Sequence, residues 1–234
     1  QKIVMEEIVM NEKNPSIAID GPAGSGKSTV ARLVAKKLGF VYVDTGAMYR
    51  TVGLYCAENS IDLENMDEVK KALQKVNIEL KYDEGVQHIY LNGEDVSSAI
   101  RVQRIAEYAS KVAAIGVVRE KLVEMQRNIA ENGNVVMDGR DIGTNVIPNA
   151  KAKIYLDASV DVRTERRCHE LEEKGVSFDK NIIREEIIER DNFDKNRKIN
   201  PLTIAEDATI IDTSYMTIEE VENKITKLFM GEVE

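Results

Sequence analysis

The sequence predicts an α/β protein in which a mostly parallel sheet is flanked by helices. Three observations carry this prediction. The segment Gly21–Ser28 reads GPAGSGKS and directly follows the apolar run Ser16–Asp20. Strand-type and helix-type segments then alternate along most of the chain, as expected for a parallel sheet. The stretch Ile78–Leu91 departs from this order, because apolar and polar residues alternate there on both sides of a turn. It predicts a small antiparallel insert of two or three strands.

The glycine-rich segment has the spacing G-x-x-x-x-G-K-[ST], which is typical of a loop that binds polyphosphate between a strand and a helix. Glycines let backbone N–H groups converge on phosphate oxygens, and the dipole of the next helix adds positive potential. Lys27, expected on an exposed loop, can reach the β- and γ-phosphates, and the Ser28 hydroxyl can hold Mg²⁺. The predicted ATP-binding residues are Gly21, Pro22, Ala23, Gly24, Ser25, Gly26, Lys27, Ser28 and Thr29.

The spacing of apolar residues and the turn signals place the remaining elements. The predicted strands are Ser16–Asp20, Phe40–Val43, Ile78–Tyr82, His88–Leu91, Asn134–Met137, Lys153–Leu156 and Thr209–Asp212, with a turn at Asp83–Gly85. The predicted helices are Lys27–Leu38, Tyr49–Glu58, Met66–Val76, Arg101–Ala113, Val117–Asn132, Asp161–Lys174 and Lys180–Lys195. A last helix starts at the capping box Thr217–Glu220.

Composition limits the classes of partner. The net charge of −9 argues against nonspecific binding to nucleic acid or to an anionic membrane. The only cysteines, Cys56 and Cys168, fit a reducing cytoplasm better than a disulfide framework. Residues 1–14 lack the order of a signal peptide, and we interpret them as a tag or an extension outside the core. We expect a cytoplasmic monomer that acts on small molecules.

Two strand ends combine acidic residues with an arginine. The segment Asp44–Arg50 reads DTGAMYR, and Asp138–Thr144 reads DGRDIGT. Either alone could be a salt-bridged strand end. Because ligands bind beyond the carboxyl ends of the strands in such sheets, two of them beside a phosphate loop indicate a second anion site. Arginine suits it, since the planar guanidinium binds a phosphate through two hydrogen bonds.

The late helices carry a second set of arginines. Arg163, Arg166 and Arg167 lie on roughly one side of a predicted helix. They are either a solvated face paired with neighbouring glutamates or part of a mobile lid that closes on the transferred phosphoryl group. Arg190, Asp194 and Arg197 follow at i, i+4 and i+7, and we expect them on one helix face.

The order GPAGSGKST, VDTGAMYR, DGRDIGT and ERDNFDKNR resembles the bacterial cytidylate kinases, from Ser16 to the C-terminal helix. The resemblance implies a P-loop kinase fold over residues 15–234. Its core would be 15–58, 134–160 and 200–234, its monophosphate-binding insert about 59–133, and its lid with flanking helices about 161–199. Position 28 is Ser here, whereas family members also carry Gly there.

The resemblance also implies roles for individual residues. Ser110, Arg119 and Asp141 match the residues that contact cytosine, and Arg50 and Arg140 match those that grip the acceptor phosphate. Further matching positions are Asp44 and Thr45 in the same pocket, Arg190, Asp194 and Arg197 around the sugar, and Lys27, Arg140, Arg163 and Arg167 in catalysis.

The function expected on this basis is transfer of the γ-phosphoryl group from ATP to CMP or dCMP, with Mg²⁺ as cofactor. Two alternatives stay open at this point. One is a P-loop kinase of another small acceptor, such as UMP or a non-nucleotide, and the other is a P-loop switch protein that hydrolyses nucleotide.

Overall fold

The structure is a computed structural model that describes residues 15–83 and 86–232. The predicted extension 1–14 and part of the predicted turn Asp83–Gly85 lie outside the described residues. The strands within them are β1 (Ser16–Asp20), β2 (Val41–Asp44), β3 (Ile78–Asp83), β4 (Val86–Leu91), β5 (Glu94–Asp95), β6 (Val135–Gly139), β7 (Ala152–Asp157) and β8 (Thr209–Asp212). The α-helices are α1 (Lys27–Leu38), α2 (Thr45–Glu58), α3 (Met66–Lys75), α4 (Gln103–Ala113), α5 (Gly116–Glu131), α6 (Val160–Glu173), α7 (Lys180–Asn196) and α8 (Ile218–Met230).

The main sheet has five parallel strands in the order β2-β6-β1-β7-β8. The central strand β1 pairs Ile17 with Val136 of β6 on one side and with Ala152 of β7 on the other. All five strands therefore end at one edge, where β1 runs into the glycine-rich loop. This confirms the α/β class with a mainly parallel sheet.

Both faces of the main sheet are covered. Successive side chains of a strand point to opposite faces. Ile17 and Ile19 accordingly pack in a cluster with α1 and α8, while Ala18 packs with residues of α5 on the other face. The central strands β1 and β6 are consequently buried on both sides, which fits their mostly apolar sequences.

The predicted antiparallel insert is a separate three-stranded sheet in the order β3-β4-β5. Ile78 of β3 pairs with Leu91 of β4, and both side chains are buried. They belong to a second apolar cluster, which also contains residues of α2, α3, α4 and α5. The insert thus packs mainly on a layer of helices, and it meets the main sheet where the Asp44 N–H of β2 donates to Gln87 Oε1 of β4 at 3.0 Å.

Several predicted boundaries were wrong by a few residues. Helix α2 begins at Thr45 instead of Tyr49, because the Asp44 carboxylate accepts a hydrogen bond from the Ala47 N–H and caps the helix. Strand β2 begins at Val41, since the N–H of Phe40 is bonded to the preceding helix. Arg101 lies in a 3₁₀ turn before α4. The other ends differ by a residue or two, as helix termini commonly do.

One element was not predicted at all. Residues Ile142–Val146 form a π-helical turn directly after the DGRD segment. Turns of this kind are rare and frequently lie at functional sites. Within the described ranges, the structure contains no helix long and apolar enough to cross a membrane.

Candidate active site

The loop after β1 has a backbone that only glycine tolerates at key points. Gly21 has φ of +148°, and a Cβ atom there would lie 2.0 Å from the carbonyl oxygen of Leu156. Gly24 and Gly26 also have positive φ values, of +76° and +89°. Gly26 is the N-cap of α1, so the loop leads directly into the positive end of the helix dipole. The loop therefore has the geometry of a phosphate site.

Lys27 differs from its predicted exposure. It is the first residue of α1 and only 5% exposed, because its ammonium group folds back into the loop. The Nζ atom donates to the Pro22 carbonyl at 2.6 Å and to the Ser25 hydroxyl at 3.3 Å. Burial, followed by the neighbouring Arg140 guanidinium, lowers the pKa of Lys27 to about 7. An arriving polyphosphate would favour the charged ammonium again, since opposite charge raises the pKa of an amine.

Ser28 and Asp138 bring oxygen ligands together beside Lys27. The Ser28 hydroxyl donates to Asp138 Oδ2 at 3.0 Å, and the Tyr42 hydroxyl donates to Oδ1 at 2.8 Å. Burial, and then the nearby Asp44 carboxylate, raise the pKa of Asp138 to about 6. In the described part of the chain, no group of three His, Cys, Asp or Glu could hold a metal ion unaided. Oxygen ligands of this type fit Mg²⁺ that is shared with phosphate oxygens and water.

The start of α2 brings Asp44, Thr45 and Arg50 together. Arg50 donates to both carboxylate oxygens of Asp44, the shorter contact being 3.1 Å. Thr45 is buried and its hydroxyl donates to the backbone carbonyl of Asp138. Arg101 was missed by the sequence analysis, yet one of its terminal nitrogens lies 4.0 Å from Asp44. The residues around Arg101 in this short turn are apolar, so the sequence did not predict a contact between Arg101 and Asp44.

Asp141 lies between two arginines. Arg119 donates to Oδ2 of Asp141, and Arg197 donates to Oδ1 at 3.0 Å. All three side chains are buried. Arg119 also lies over the ring of Tyr49, at 5.5 Å from its centroid. Helix α5 and the chain after α7 thus fix this carboxylate from two sides.

Asp194 is held by a different pair of arginines from the one expected. It accepts from Arg140 Nε at 2.7 Å and from Arg190 Nε at 3.4 Å. Arg197 was predicted on the same helix face, and this was wrong. Helix α7 ends at Asn196 and Arg197 has an extended backbone, so its side chain turns away to Asp141. Burial opposes ionisation of Asp194, but Arg140 and Arg190 outweigh it and lower the pKa of its carboxyl.

The three arginines of α6 have three different environments. Arg163 is buried and makes a two-pronged ion pair with Asp191 of α7, at 2.6 and 3.0 Å, and a bond to the Ala23 carbonyl. Arg166 donates to the backbone of Gly24 and Thr213. Arg167 pairs with Glu170 of its own helix, as the solvated-face interpretation predicted. The predicted pairing with glutamates therefore applies to one arginine of the three.

A cleft of about 810 Å³ opens between the insert helices and helices α6 and α7. Of the predicted residues, its lining includes Gly24, Arg50, Ser110, Arg163, Arg167 and Arg190. The Ser110 hydroxyl is bonded only weakly to its own helix, at 3.4 Å from the Ala106 carbonyl. Asp141 and Asp194 are 4% and 2% exposed. These two carboxylates are thus deeply buried and already paired with arginines.

Asp20 links the donor loop to the π-helical turn. Its carboxylate accepts from the backbone N–H groups of Ile142 and Gly143, both at 2.8 Å. Burial is the main reason that the pKa of Asp20 is raised to about 6. From the sequence, Asp20 was predicted only as the end of a strand. No sequence signal for the π-helical turn was available to reveal its partners.

A glycine-rich phosphate loop beside an arginine-rich cleft, at the carboxyl edge of a parallel sheet, defines a P-loop phosphotransferase. The family model described as cytidylate kinase matches residues 17–230. A curated cytidylate kinase of Bacillus anthracis (strain CDC 684 / NRRL 3495) is 48% identical over 222 residues, covering 94% of this chain and 98% of the relative. One of Fusobacterium nucleatum is 50% identical over 214 residues, covering 92% and 96%. The chain belongs to the cytidylate kinase family, and it is a nucleoside monophosphate kinase.

A solved structure agrees with the fold. It is described as an uncharacterized protein from Eubacterium ventriosum, and it matches with a TM-score of 0.52. The alignment covers 92% of this chain and 98% of the other, at 15% sequence identity. At that identity the likeness concerns the fold alone.

Proposed function

We propose that the protein transfers the γ-phosphoryl group of ATP to CMP or dCMP, giving ADP and the pyrimidine nucleoside diphosphate. The observation that carries this proposal is the Asp141 carboxylate, held between Arg119 and Arg197 beside the arginine-rich cleft. The family assignment supports the same acceptor. It gives no support to a non-nucleotide acceptor or to a hydrolytic switch.

The base would be recognised by groups of opposite hydrogen-bonding character. Cytosine offers an exocyclic amino donor beside ring and carbonyl acceptors. Asp141 can only accept and Arg119 can only donate, while the Ser110 hydroxyl can do either. Uracil has a carbonyl where cytosine has the amino group, so a carboxylate in that place would repel it. This arrangement favours CMP over UMP.

The phosphate and sugar of the acceptor would lie along the cleft wall. Arg50 and Arg140 are proposed to grip the phosphate, since each is only partly buried and can swing a guanidinium fork toward it. Arg190 lines the cleft, and Asp194 is fixed between Arg140 and Arg190. A carboxylate so oriented can accept a hydrogen bond from a ribose hydroxyl.

The donor triphosphate would lie on the loop Gly21–Thr29. Lys27 would then exchange its bond to the Pro22 carbonyl for phosphate oxygens and neutralise charge in the transition state. Ser28 and Asp138 would hold Mg²⁺, directly or through water. When bound, the cation screens the charge on the phosphates and helps to hold the reacting groups in line. No covalent intermediate on the protein is needed, because positioning and charge stabilisation suffice.

The contacts of Arg163 favour an anchoring role for this residue. Its bonds to Asp191 and to the Ala23 carbonyl tie α6 and α7 to the phosphate loop. Arg167 is less constrained and lines the cleft, so it is the better placed of the two to meet the transferred group. Closure of this region over bound substrates would exclude water, which is a competing acceptor.

An ADP-release assay across nucleoside monophosphates tests the proposal. We expect rapid ADP formation with CMP and dCMP, much slower formation with UMP and AMP, and little with ATP alone. The product should be CDP or dCDP by chromatography. Equal rates with all four monophosphates, or ADP release that needs no acceptor, would contradict it.

A further inference from the structure

Tyr42 of β2 contacts the acidic residue that faces the donor site, although no role was assigned to it. The side chain is 6% exposed and its ring packs in the apolar cluster beneath α1 and α8. Its hydroxyl reaches Asp138 Oδ1 at 2.8 Å, while Ser28 binds Oδ2 at 3.0 Å. The two oxygens of Asp138 are therefore held by different partners on opposite sides.

The type of side chain that donates the hydrogen bond to Asp138 determines whether the carboxylate keeps its net charge. An arginine or lysine in the place of Tyr42 would neutralise the carboxylate, but a phenol leaves its negative charge in place. The Tyr42 hydroxyl donates its hydrogen bond to Oδ1 of this carboxylate at 2.8 Å. Tyr42 thus fixes the rotation of the carboxylate and leaves Oδ2 directed at Ser28.

The role of the Tyr42 hydroxyl can be tested separately from the packing of the Tyr42 ring. Strand β2 reads Val-Tyr-Val-Asp, and the neighbouring Val43 is fully buried. Phenylalanine would fill the same space around the ring. The oxygen of Tyr42 is the only atom it would lack, so its effect can be tested without opening a large cavity.

We propose that Tyr42 is a positioning residue that orients Asp138 toward Ser28 and thereby sets the affinity for the divalent cation bound with the donor nucleotide. This inference rests on the proposed function of Ser28 and Asp138 at the donor site. Partners that orient a metal-binding carboxylate commonly change metal affinity by about ten- to a hundredfold when they are removed. Tyr42 would act on cation binding and not on the acceptor.

The test is Tyr42→Phe, with Tyr55→Phe of α2 as the matched control, because Tyr55 packs against the insert cluster far along the helix from Asp44. ADP binding is measured by calorimetry with and without Mg²⁺. We expect Tyr42→Phe to reduce the gain in ADP affinity from Mg²⁺ about tenfold and to leave the affinity without Mg²⁺ unchanged. In steady-state assays, half-saturating Mg²⁺ should rise while the KM for CMP stays constant.

Two further results decide the interpretation. In an Asp138→Asn background, Tyr42→Phe should have no additional effect on the Mg²⁺ dependence, since the carboxylate it orients is gone. An unchanged Mg²⁺ dependence in Tyr42→Phe, or a fall in melting temperature alone, would overturn the inference. If the wild type failed to phosphorylate CMP, the proposed acceptor would be rejected. The calorimetric measurement with ADP would still test whether Tyr42 affects Mg²⁺ binding.

Discussion

Two buried carboxylates, Asp141 and Asp194, each face two arginines. Asp141 is paired with Arg119 and Arg197, and Asp194 with Arg140 and Arg190. Burying an isolated charge would cost several kcal/mol, so such groups persist only when they are paired. Removing one member leaves the others uncompensated. For every substitution at these residues, both the melting temperature and the kinetics should therefore be measured.

At the donor site, Lys27→Ala should lower turnover at least about a hundredfold, the usual cost of losing one transition-state donor. The chain should still fold, because the substitution removes a buried ammonium whose partners in the loop are a carbonyl and a hydroxyl. Turnover and melting temperature are the measurements, and Lys36→Ala, exposed on the same helix, is the control. Near-normal turnover of a folded Lys27→Ala protein would refute the role of the loop.

At the acceptor site, Asp141→Ala and Arg119→Ala should lower kcat/KM for CMP about ten- to a hundredfold, since an unpaired buried donor costs about 1–3 kcal/mol. The KM for ATP should change little. Exposed Asp161→Ala is the control, because its ion pair with Arg184 lies on the surface. An equal loss in the kinetics for ATP would place these residues elsewhere.

At the scale of elements, helix α7 forms the side of the cleft that is proposed to bind the sugar. Asp194 links this helix to Arg140 at the end of β6, and Asp191 links it to Arg163 of α6. The helix is therefore fastened by ion pairs to the end of β6 and to α6, and Arg163 of α6 in turn donates a hydrogen bond to the Ala23 carbonyl of the donor loop. Asp191 and Asp194 make these ion pairs, and Arg190 of the same helix lines the cleft.

A double-mutant cycle tests whether this helix serves the sugar. Asp194→Ala and Arg190→Ala should give non-additive losses in kcat/KM, by at least about 0.5 kcal/mol, because they share one hydrogen-bonded unit. The losses should differ between CMP and dCMP. A drop in melting temperature with unchanged kinetics for both nucleotides would show that the helix has a structural role and does not bind the sugar.

The elements that sequence predicted well are those fixed by local pattern. The Gly21–Ser28 loop and the Thr217–Glu220 capping box follow from residue types at fixed spacing, and both were confirmed. Arg197 was misplaced because the direction of its side chain depends on where α7 ends and on the buried Asp141 carboxylate that it contacts. The π-helical turn and the buried state of Lys27 likewise depend on tertiary contacts, through Asp20 and Pro22. Such contacts have no periodicity in sequence.

At the scale of the whole molecule, the main sheet and the insert have different apolar clusters. One is centred on the main sheet with α1 and α8, and the other joins the insert to α2 and α4. Buried charged residues such as Asp141 and Asp194 connect the end of the main sheet to the helices around the cleft. Stability of the molecule and integrity of the site are thus coupled through them.

This coupling predicts a dependence of stability on pH. The pKa of Asp194 is lowered on folding, so its stabilising contribution is present above the unfolded value of about 3.9 and is lost as pH falls through the lower folded value. Melting temperatures between pH 7 and pH 3 should fall more steeply for the wild type than for Asp194→Asn. Identical slopes in the two proteins would contradict the lowered pKa.

The central claim is that the Asp141 carboxylate, with Arg119 and Ser110, reads the cytosine base beside the phosphate loop. A crystal structure with CMP bound tests it most directly. We expect the amino group of cytosine within hydrogen-bond distance of Asp141, and the phosphate of CMP between Arg50 and Arg140. A base bound away from Asp141, or a phosphate that contacts neither arginine, would contradict the account.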